Sequence, residues 1–289
     1  MYFLIFVVGA LRIAQANMTK QASCHTRSIE ALLQYGMYFE FATALISFLF
    51  LCFNGFHGFY GFLLLCSVFT AVCFFSELLI SMSAMKTAPL VLCNISAMGG
   101  FIILPSVVSI FLFDEPMSLP KWLGVGVFFA AAYLLSPPKE GEQPPLTIKT
   151  LLLLASCFIV NGLCGIISKY YALYAETVNE AMYTCVTYLC TSGVYAAAFL
   201  LRTRNAAQRP AMPKKLYTLG ATMGVICCLL MYLNTLLAKT VPVVILNSVP
   251  SAISIIGCLF TGYLLYKEKI TWKNAIGLLC GILSICLIV

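Results

Sequence analysis

The sequence predicts an all-α polytopic membrane protein with about ten transmembrane helices in two inverted five-helix repeats. Hydrophobic residues make up 62% of the chain and charged residues only 9%, whereas ordinary soluble domains carry about 25% charged residues. Continuous apolar runs recur along the chain, each about as long as the roughly twenty residues that a helix needs to cross the hydrocarbon core. Strands of a membrane barrel would instead be segments of about ten alternating residues. Helices are therefore favoured.

Proline, glycine and charged residues separate the apolar runs. The first run follows Met1 directly with no basic segment before it, so we expect a retained span rather than a cleaved signal peptide. The predicted spans are 2–19, 34–54, 58–82, 88–113, 119–137, 149–172, 179–201, 215–237, 241–265 and 271–289. A Pro- and Glu-rich stretch divides five spans from five. The predicted domains are therefore a first repeat at 1–138, a linker at 139–148 and a second repeat at 149–289.

The two halves share residues at a fixed spacing. Near the ends of the third to fifth spans the spacing is 153 positions, and it matches Lys86 with Lys239, Thr87 with Thr240, Pro89 with Pro242, Asn94 with Asn247, Glu115 with Glu268 and Gly124 with Gly277. In the first span the spacing is 149, and it matches Lys20 with Lys169, Thr19 with Ser168 and Ala16 with Gly165. A four-residue difference in loop length accounts for the change, so we predict an internal duplication.

An odd number of spans per repeat inserts the two halves in opposite orientations. Inverted repeats of this kind are a common plan of secondary transporters, which bind substrate near the midplane where the halves meet. The alternative is that the duplicated helices only build a stable bundle.

Two turn-and-span patterns resemble the drug/metabolite transporter superfamily, and its EamA-like ten-helix group in particular. The first is Phe113-Asp114-Glu115-Pro116-Met117-Ser118 followed by a Gly-containing span, and the second is Tyr266-Lys267-Glu268-Lys269-Ile270-Thr271 followed by another. The pair Asn161-Gly162 with Lys169 resembles the first helix of a repeat. Family members usually carry Gly before the Glu, whereas this chain has Asp114 and Lys267. The resemblance implies a ten-helix carrier and says little about its substrate.

Charged side chains within the predicted spans are the first candidates for a binding site, because a charge inside a bilayer is costly. Arg12, Glu40 and Glu77 are such residues. In a functional interpretation Arg12 binds an anionic substrate group, Glu40 contributes to binding, and Glu77 couples transport to a proton or cation. In a structural interpretation Arg12 pairs with Glu40 or Glu77 and holds the bundle together.

Polar residues at matched positions complete the predicted substrate site. Asn94 and Asn247 are mid-helix amides that need a hydrogen bond, either to a neighbouring helix or to a substrate. Lys20 and Lys169 end the first helix of each repeat and either flank the cavity or anchor the helix at the interface. The predicted aromatic contacts are Tyr38 and Tyr183, for which a place in the interfacial aromatic belt is the alternative.

The remaining polar features favour structural roles. Glu115 and Glu268 lie in short turns before a helix, where a carboxylate complements the positive end of the helix dipole. The fourteen cysteines are scattered through apolar runs and are expected to be small buried hydrophobes rather than disulfides or metal ligands. Basic residues concentrate in the loops after odd-numbered spans, which predicts that those loops are cytoplasmic and both termini are outside. The family resemblance implies the opposite orientation.

The sequence therefore predicts a secondary-active transporter of a small metabolite, such as an amino acid or related charged solute, working by alternating access with proton coupling or exchange. The alternatives are a small multidrug or organic-cation exporter, or a membrane-embedded enzyme or scaffold subunit. No Walker-type phosphate loop and no HExxH or GxSxG motif is present. We expect no enzyme activity, cofactor, metal or nucleic-acid partner. The expected partners are the substrate and the bilayer of a bacterial cell membrane, around a monomer or homodimer.

Overall fold

A computed structural model describes residues 2–26, 28–56, 60–112, 118–134, 147–174, 179–204, 212–238, 243–267 and 271–288. All regular secondary structure in these ranges is helical. The helices are α1 (Tyr2–His25), α2 (Ile29–Asn54), α3 (Gly61–Ala84), α4 (Leu90–Leu112), α5 (Leu119–Leu134), α6 (Ile148–Tyr174), α7 (Glu180–Thr203), α8 (Lys214–Ala238), α9 (Val243–Tyr266) and α10 (Trp272–Ile288).

The predicted all-helical fold is confirmed for the described residues. Within the described ranges, five stretches are long and apolar enough to cross a membrane. They are Ile29–Phe53, Gly61–Ala84, Ile148–Ser168, Ala181–Thr203 and Val249–Tyr266. Large apolar side chains on these helices lie exposed on the outer surface, among them Phe48, Phe69, Leu152, Leu201 and Leu264. A surface of this kind is suited to contact with lipid.

The first two helices differ from the prediction at the turn between them. Helix α1 continues to His25, and α2 begins at Ile29, whereas the predicted spans ended at 19 and began at 34. The Ser28 hydroxyl accepts the amide hydrogen of Ala31 and so caps the start of α2. Lys20 consequently lies inside α1 rather than in a loop, and Glu40 lies near the middle of α2.

Most of the helix packing joins the first five helices to the last five. Helix α2 packs on α7 and α8, α3 on α6 and α7, α4 on α6 and α9, α1 on α8 and α9, and α5 on α10. The two halves are therefore interleaved around a shared centre.

Glycines allow close approach at two of these interfaces. A methyl group at Gly100 of α4 would lie 2.0 Å from the carbonyl oxygen of Phe158 in α6, and one at Gly162 of α6 would lie 2.4 Å from the Leu104 side chain. Between α1 and α9, a methyl group at Gly9 would lie 2.7 Å from the Ile253 side chain. Small residues that let helix backbones approach are typical of packing within membranes.

Part of the predicted organisation lies outside the described residues. The turns that contain Glu115 and Glu268, and the linker except for 147–148, are in this part of the chain. Their predicted roles stay predictions.

Candidate functional site

A polar cavity lies among the helices of both halves. Its volume is about 170 Å³, room for several water molecules or a small solute. Its lining comes from α1 (Arg12, Gln15, Ala16, Thr19), α2 (Phe39, Glu40), α3 (Phe74, Glu77, Leu78, Ser81), the α3–α4 turn (Met85), α4 (Cys93, Asn94, Ala97, Met98), α6 (Asn161), α7 (Tyr188) and α8 (Met223, Cys227). The cavity is thus formed jointly by the two halves of the chain.

The three charged residues picked out by the sequence all line this cavity. Arg12, Glu40 and Glu77 come from α1, α2 and α3. Arg12 and Glu40 lie close to the middle of helices of 24 and 26 residues. A helix of that length rises by roughly 36 to 39 Å, so its middle is far from either end. The cavity therefore holds one cationic and two acidic groups deep in an apolar bundle.

The Arg12 guanidinium contacts neutral groups. Its Nη1 donates to the Met98 thioether at 3.2 Å and to the Ser251 hydroxyl at 3.3 Å. Among the described residues, neither Glu40 nor Glu77 lies within ion-pair distance of it. The structural alternative, in which Arg12 pairs with a carboxylate to hold the bundle, is therefore not the arrangement observed. Because a guanidinium has five donors and a thioether is a weak acceptor, Arg12 keeps capacity for an anionic group in the cavity.

The two carboxyl groups have different surroundings. Glu40 is only 2% exposed, and its Oε2 is buried without a hydrogen-bond partner in the described structure. The Glu77 carboxyl interacts with the Asn161 side chain of α6. A buried polar atom without a partner is unusual in a folded protein. Glu40 is consequently the less satisfied of the two.

In each matched pair, of amides and of lysines, the structure describes the side chain of the first-half residue only. Asn94 lines the cavity and donates to the Ser254 hydroxyl of α9 at 3.0 Å, which is the neighbouring-helix partner that one interpretation expected. Asn247 and Lys169 lie in described helices, but their side chains are outside the described part. The placement of these two side chains at the site stays a prediction.

Lys20 is absent from the cavity lining. Its ammonium donates to the backbone carbonyls of Met85 and Ala88 in the α3–α4 turn, and it lies 5.7 Å from the ring centre of Tyr266. These contacts join α1 to the α3–α4 turn and to α9. They are structural contacts, in place of the predicted contact with substrate.

The two predicted tyrosines also lie away from the cavity. Tyr38 packs against Gly220 and the ring of Tyr217 on α8. The Tyr183 hydroxyl is hydrogen-bonded to Thr70 at 2.7 Å, and its ring stacks on Tyr171. Both side chains face helix interfaces. The angular position of a residue around its helix sets the direction of its side chain, and at positions 38 and 183 that direction is away from the cavity.

The predicted site omitted five polar residues of the cavity lining: Gln15, Thr19, Ser81, Asn161 and Tyr188. Gln15 follows Arg12 by three positions, so both lie on one face of α1. Asn161 lies 149 positions after Arg12, the same spacing that matches Lys20 with Lys169. Both signals were present in the sequence, but an amide draws less attention than a charge in an apolar run.

Two apolar clusters flank the cavity. One cluster, which we call the first apolar cluster, includes Leu32, Tyr35, Met82, Tyr195, Phe199 and Leu216. The second apolar cluster includes Leu51, Leu63, Cys66, Tyr171, Met182 and Tyr183. Along α2, α3 and α7 the cavity residues Glu40, Glu77 and Tyr188 lie between members of the two clusters. The two clusters therefore lie on opposite sides of the cavity along these three helices.

Comparison with known proteins shows the fold alone. A crystal structure of a protein, 13% identical in sequence, aligns over 98% of this chain and 95% of its own length with a TM-score of 0.64. No protein-family model and no curated protein matches the sequence. The arrangement of helices is thus one that another protein adopts, and the function has to be argued from the site.

Proposed function

We propose that this chain is a secondary-active transporter of a small charged metabolite that works by alternating access. The observation that carries the proposal is the cavity that contains Arg12, Glu40 and Glu77, which lie within apolar helices away from their ends. Ionisable residues inside a membrane face a cavity or the bundle interior and usually mark a solute or proton pathway. A purely structural bundle has no need to enclose three such groups.

The helix packing supports two inverted repeats. Suppose that each helix of the first half changes places with the helix five positions later in the chain. The α1–α9 contact then becomes α6–α4, α2–α8 becomes α7–α3, and α1–α8 becomes α6–α3. All of these contacts occur. The pairs α2–α7, α4–α9 and α5–α10 convert into themselves and also occur. This is the pattern expected of two copies related by a twofold axis, and with five helices each the copies are oppositely oriented.

Glycine contacts support the same relation at the level of residues. The spacings of 149 for the first helix and 153 for the fourth convert the contact of Gly9 with Ile253 into that of Phe158 with Gly100. They likewise convert the contact of Ile13 with Gly257 into that of Gly162 with Leu104. In each pair of related contacts, the glycine lies on the first helix of a repeat in one contact and on the fourth helix of a repeat in the other.

Arg12 lies where the proposed halves meet. Its two acceptors, Met98 on α4 and Ser251 on α9, are themselves 153 positions apart. The counterpart of Arg12 in the second half is Asn161. The duplication is therefore asymmetric in charge at its centre, which gives a bound solute one preferred orientation.

The two apolar clusters supply a physical basis for alternating access. Exchange of the halves relates the helix ends that form the first apolar cluster to those that form the second. In a carrier, each cluster would close one side of the cavity, and rocking of the halves would loosen one while the other stays packed.

The charges favour an amphoteric solute, such as an amino acid. Arg12 is suited to an anionic group, and Glu77 or Glu40 to a cationic one. The resemblance of the chain to the drug/metabolite transporter superfamily supports a carrier but does not favour one solute over another. An organic-cation exporter is the second candidate, because Phe39, Phe74 and Tyr188 add aromatic faces to the acidic side of the cavity.

Counterflow in proteoliposomes tests the proposal. Purified protein would be loaded with an unlabelled pool of the twenty amino acids and related amphoteric metabolites, and entry of each labelled solute would be measured. We expect at least one solute to exchange and Arg12→Ala to weaken it roughly 10- to 100-fold, the range of about 1.5–3 kcal/mol for a hydrogen bond to a charged group.

Arg202→Ala is the matched control, since Arg202 pairs with Glu30 at an exposed site. An exposed ion pair contributes about 1 kcal/mol or less to stability, so exchange should be retained. Absence of exchange for every amphoteric solute, together with exchange of organic cations that survives Arg12→Ala, would favour the second candidate. If neither the amphoteric solutes nor the organic cations exchanged, the result would contradict transport.

A further inference from the structure

Glu40 differs from the other charged cavity residues in having no hydrogen-bond partner for one buried oxygen. Its Oε2 is enclosed and unpartnered among the described residues. Arg12 by contrast contacts Met98 and Ser251, and Glu77 interacts with Asn161. A charged carboxylate in this position would carry a large desolvation cost, and no donor among the described residues faces its Oε2 to offset that cost. Binding of a proton removes that charge.

In the part of the chain that the structure describes, no cationic group lies within ion-pair distance of Glu40. Helix α2 packs on α7, α8 and α3. The titratable and charged groups that face Glu40 are Tyr35 on its own helix, Tyr188 and Tyr195 on α7, Cys227 on α8, Glu77 on α3 and, across the cavity, Arg12 on α1. Phenols and thiols of ordinary acidity are neutral at pH 7. The nearby charge of Glu77 has the same sign and therefore repels a second carboxylate.

We infer that Glu40 is the proton-binding carboxyl of this carrier and exchanges its proton for the cationic group of the substrate. The inference rests on the proposed function and assigns coupling to Glu40, whereas the sequence alone assigned it to Glu77. When the substrate enters, its cationic group takes the place of the proton, and the proton leaves to water on the side to which the cavity is open. Proton and substrate then cross in opposite directions, because one carboxylate serves both.

Infrared spectroscopy tests the proton site without any knowledge of the substrate. The protein would be placed in lipid nanodiscs, and difference spectra would follow the carbonyl stretch of protonated carboxylic acids between neutral and alkaline pH, a range in which exposed carboxyl groups stay ionised. We expect a carboxylic acid band in the wild-type protein that Glu40→Gln removes and Glu77→Gln keeps. Glu30→Gln is the matched control, since Glu30 lies on the same helix and is paired with Arg202. A band that survives Glu40→Gln would overturn the inference.

Flux measurements test coupling. Because the Glu40 carboxylate also receives the cationic group of the substrate, Glu40→Gln should weaken counterflow of the amphoteric solutes and abolish both its pH dependence and uptake driven by a pH gradient. Glu30→Gln should keep all three properties, whereas pH-dependent counterflow or gradient-driven uptake that persists in the Glu40→Gln protein would overturn the inference. If wild-type protein exchanges no solute while the infrared band depends on Glu40, the transport proposal fails and the proton site stands.

Discussion

At the scale of single residues, charge was the signal that the sequence made visible. Arg12, Glu40 and Glu77 stand out in apolar runs, and all three line the cavity. The sequence does not show in the same way which tyrosine side chains face the cavity. Tyr183 and Tyr188 are five positions apart, which places them about 140° apart around a helix. Tyr188 reaches the cavity while Tyr183 packs on Tyr171.

Substitution of Lys20 tests whether its ammonium group stabilises the fold or binds the substrate. Lys20→Met removes a charged donor from the carbonyls of Met85 and Ala88 and leaves a side chain of similar length. Because hydrogen bonds to a charged group are worth about 1.5–3 kcal/mol each, the detergent-solubilised protein should melt several degrees lower. The apparent affinity for exchanged solutes should change less than threefold.

The control is Lys149→Met, at an exposed position near the start of α6. Its melting temperature should match that of the wild-type protein. A Lys20→Met protein that melts normally but has lost affinity would show that Lys20 acts on the substrate.

At the scale of helices, apolar periodicity and breakers were sufficient to place ten helices. Most ends agree within about three residues, as for α3 and α8. The turn between α1 and α2 differs from the prediction because polar residues near Lys20 and Arg27 resemble a loop, while the structure continues α1 to His25. Which helices pack together depends on shape complementarity between distant residues, which one sequence does not display.

The α4–α6 interface gives a prediction at this scale. In Gly100→Ala the new methyl group would meet the Phe158 carbonyl oxygen at 2.0 Å, so the backbones of two helices must separate. Overpacking of this kind costs about 1–3 kcal/mol or more. We expect a markedly lower melting temperature and a smaller monodisperse fraction in gel filtration.

Gly193→Ala is the matched control, because a methyl group at Gly193 of α7 meets nothing within 4 Å. Replacement of an unstrained helical glycine by alanine is neutral or stabilises by up to about 1 kcal/mol. Equal melting temperatures of the Gly100→Ala and wild-type proteins would contradict the close approach of α4 and α6.

At the scale of the whole molecule, the proposed five spans per repeat have a consequence for topology. We predict that the 139–148 linker lies on the opposite face of the membrane from both termini. The concentration of basic residues in loops after odd-numbered spans predicts a cytoplasmic linker face, whereas the family resemblance implies the opposite orientation. Single cysteines in the linker and at the C-terminus should react with an impermeant thiol reagent from opposite sides. Labelling of both from one side would contradict an odd number of spans per repeat.

Alternating access requires that both sides of the membrane reach the same cavity in turn. Ala97 lines this cavity from α4, between Asn94 and Met98. The most direct measurement is labelling of Ala97→Cys in sealed vesicles of either orientation with a charged impermeant methanethiosulfonate, read as adduct mass on that residue. The native Cys258, which is fully buried outside the cavity lining, serves as the unreactive internal control. We predict labelling of Ala97→Cys from each side, whereas labelling from one side alone or from neither would contradict alternating access.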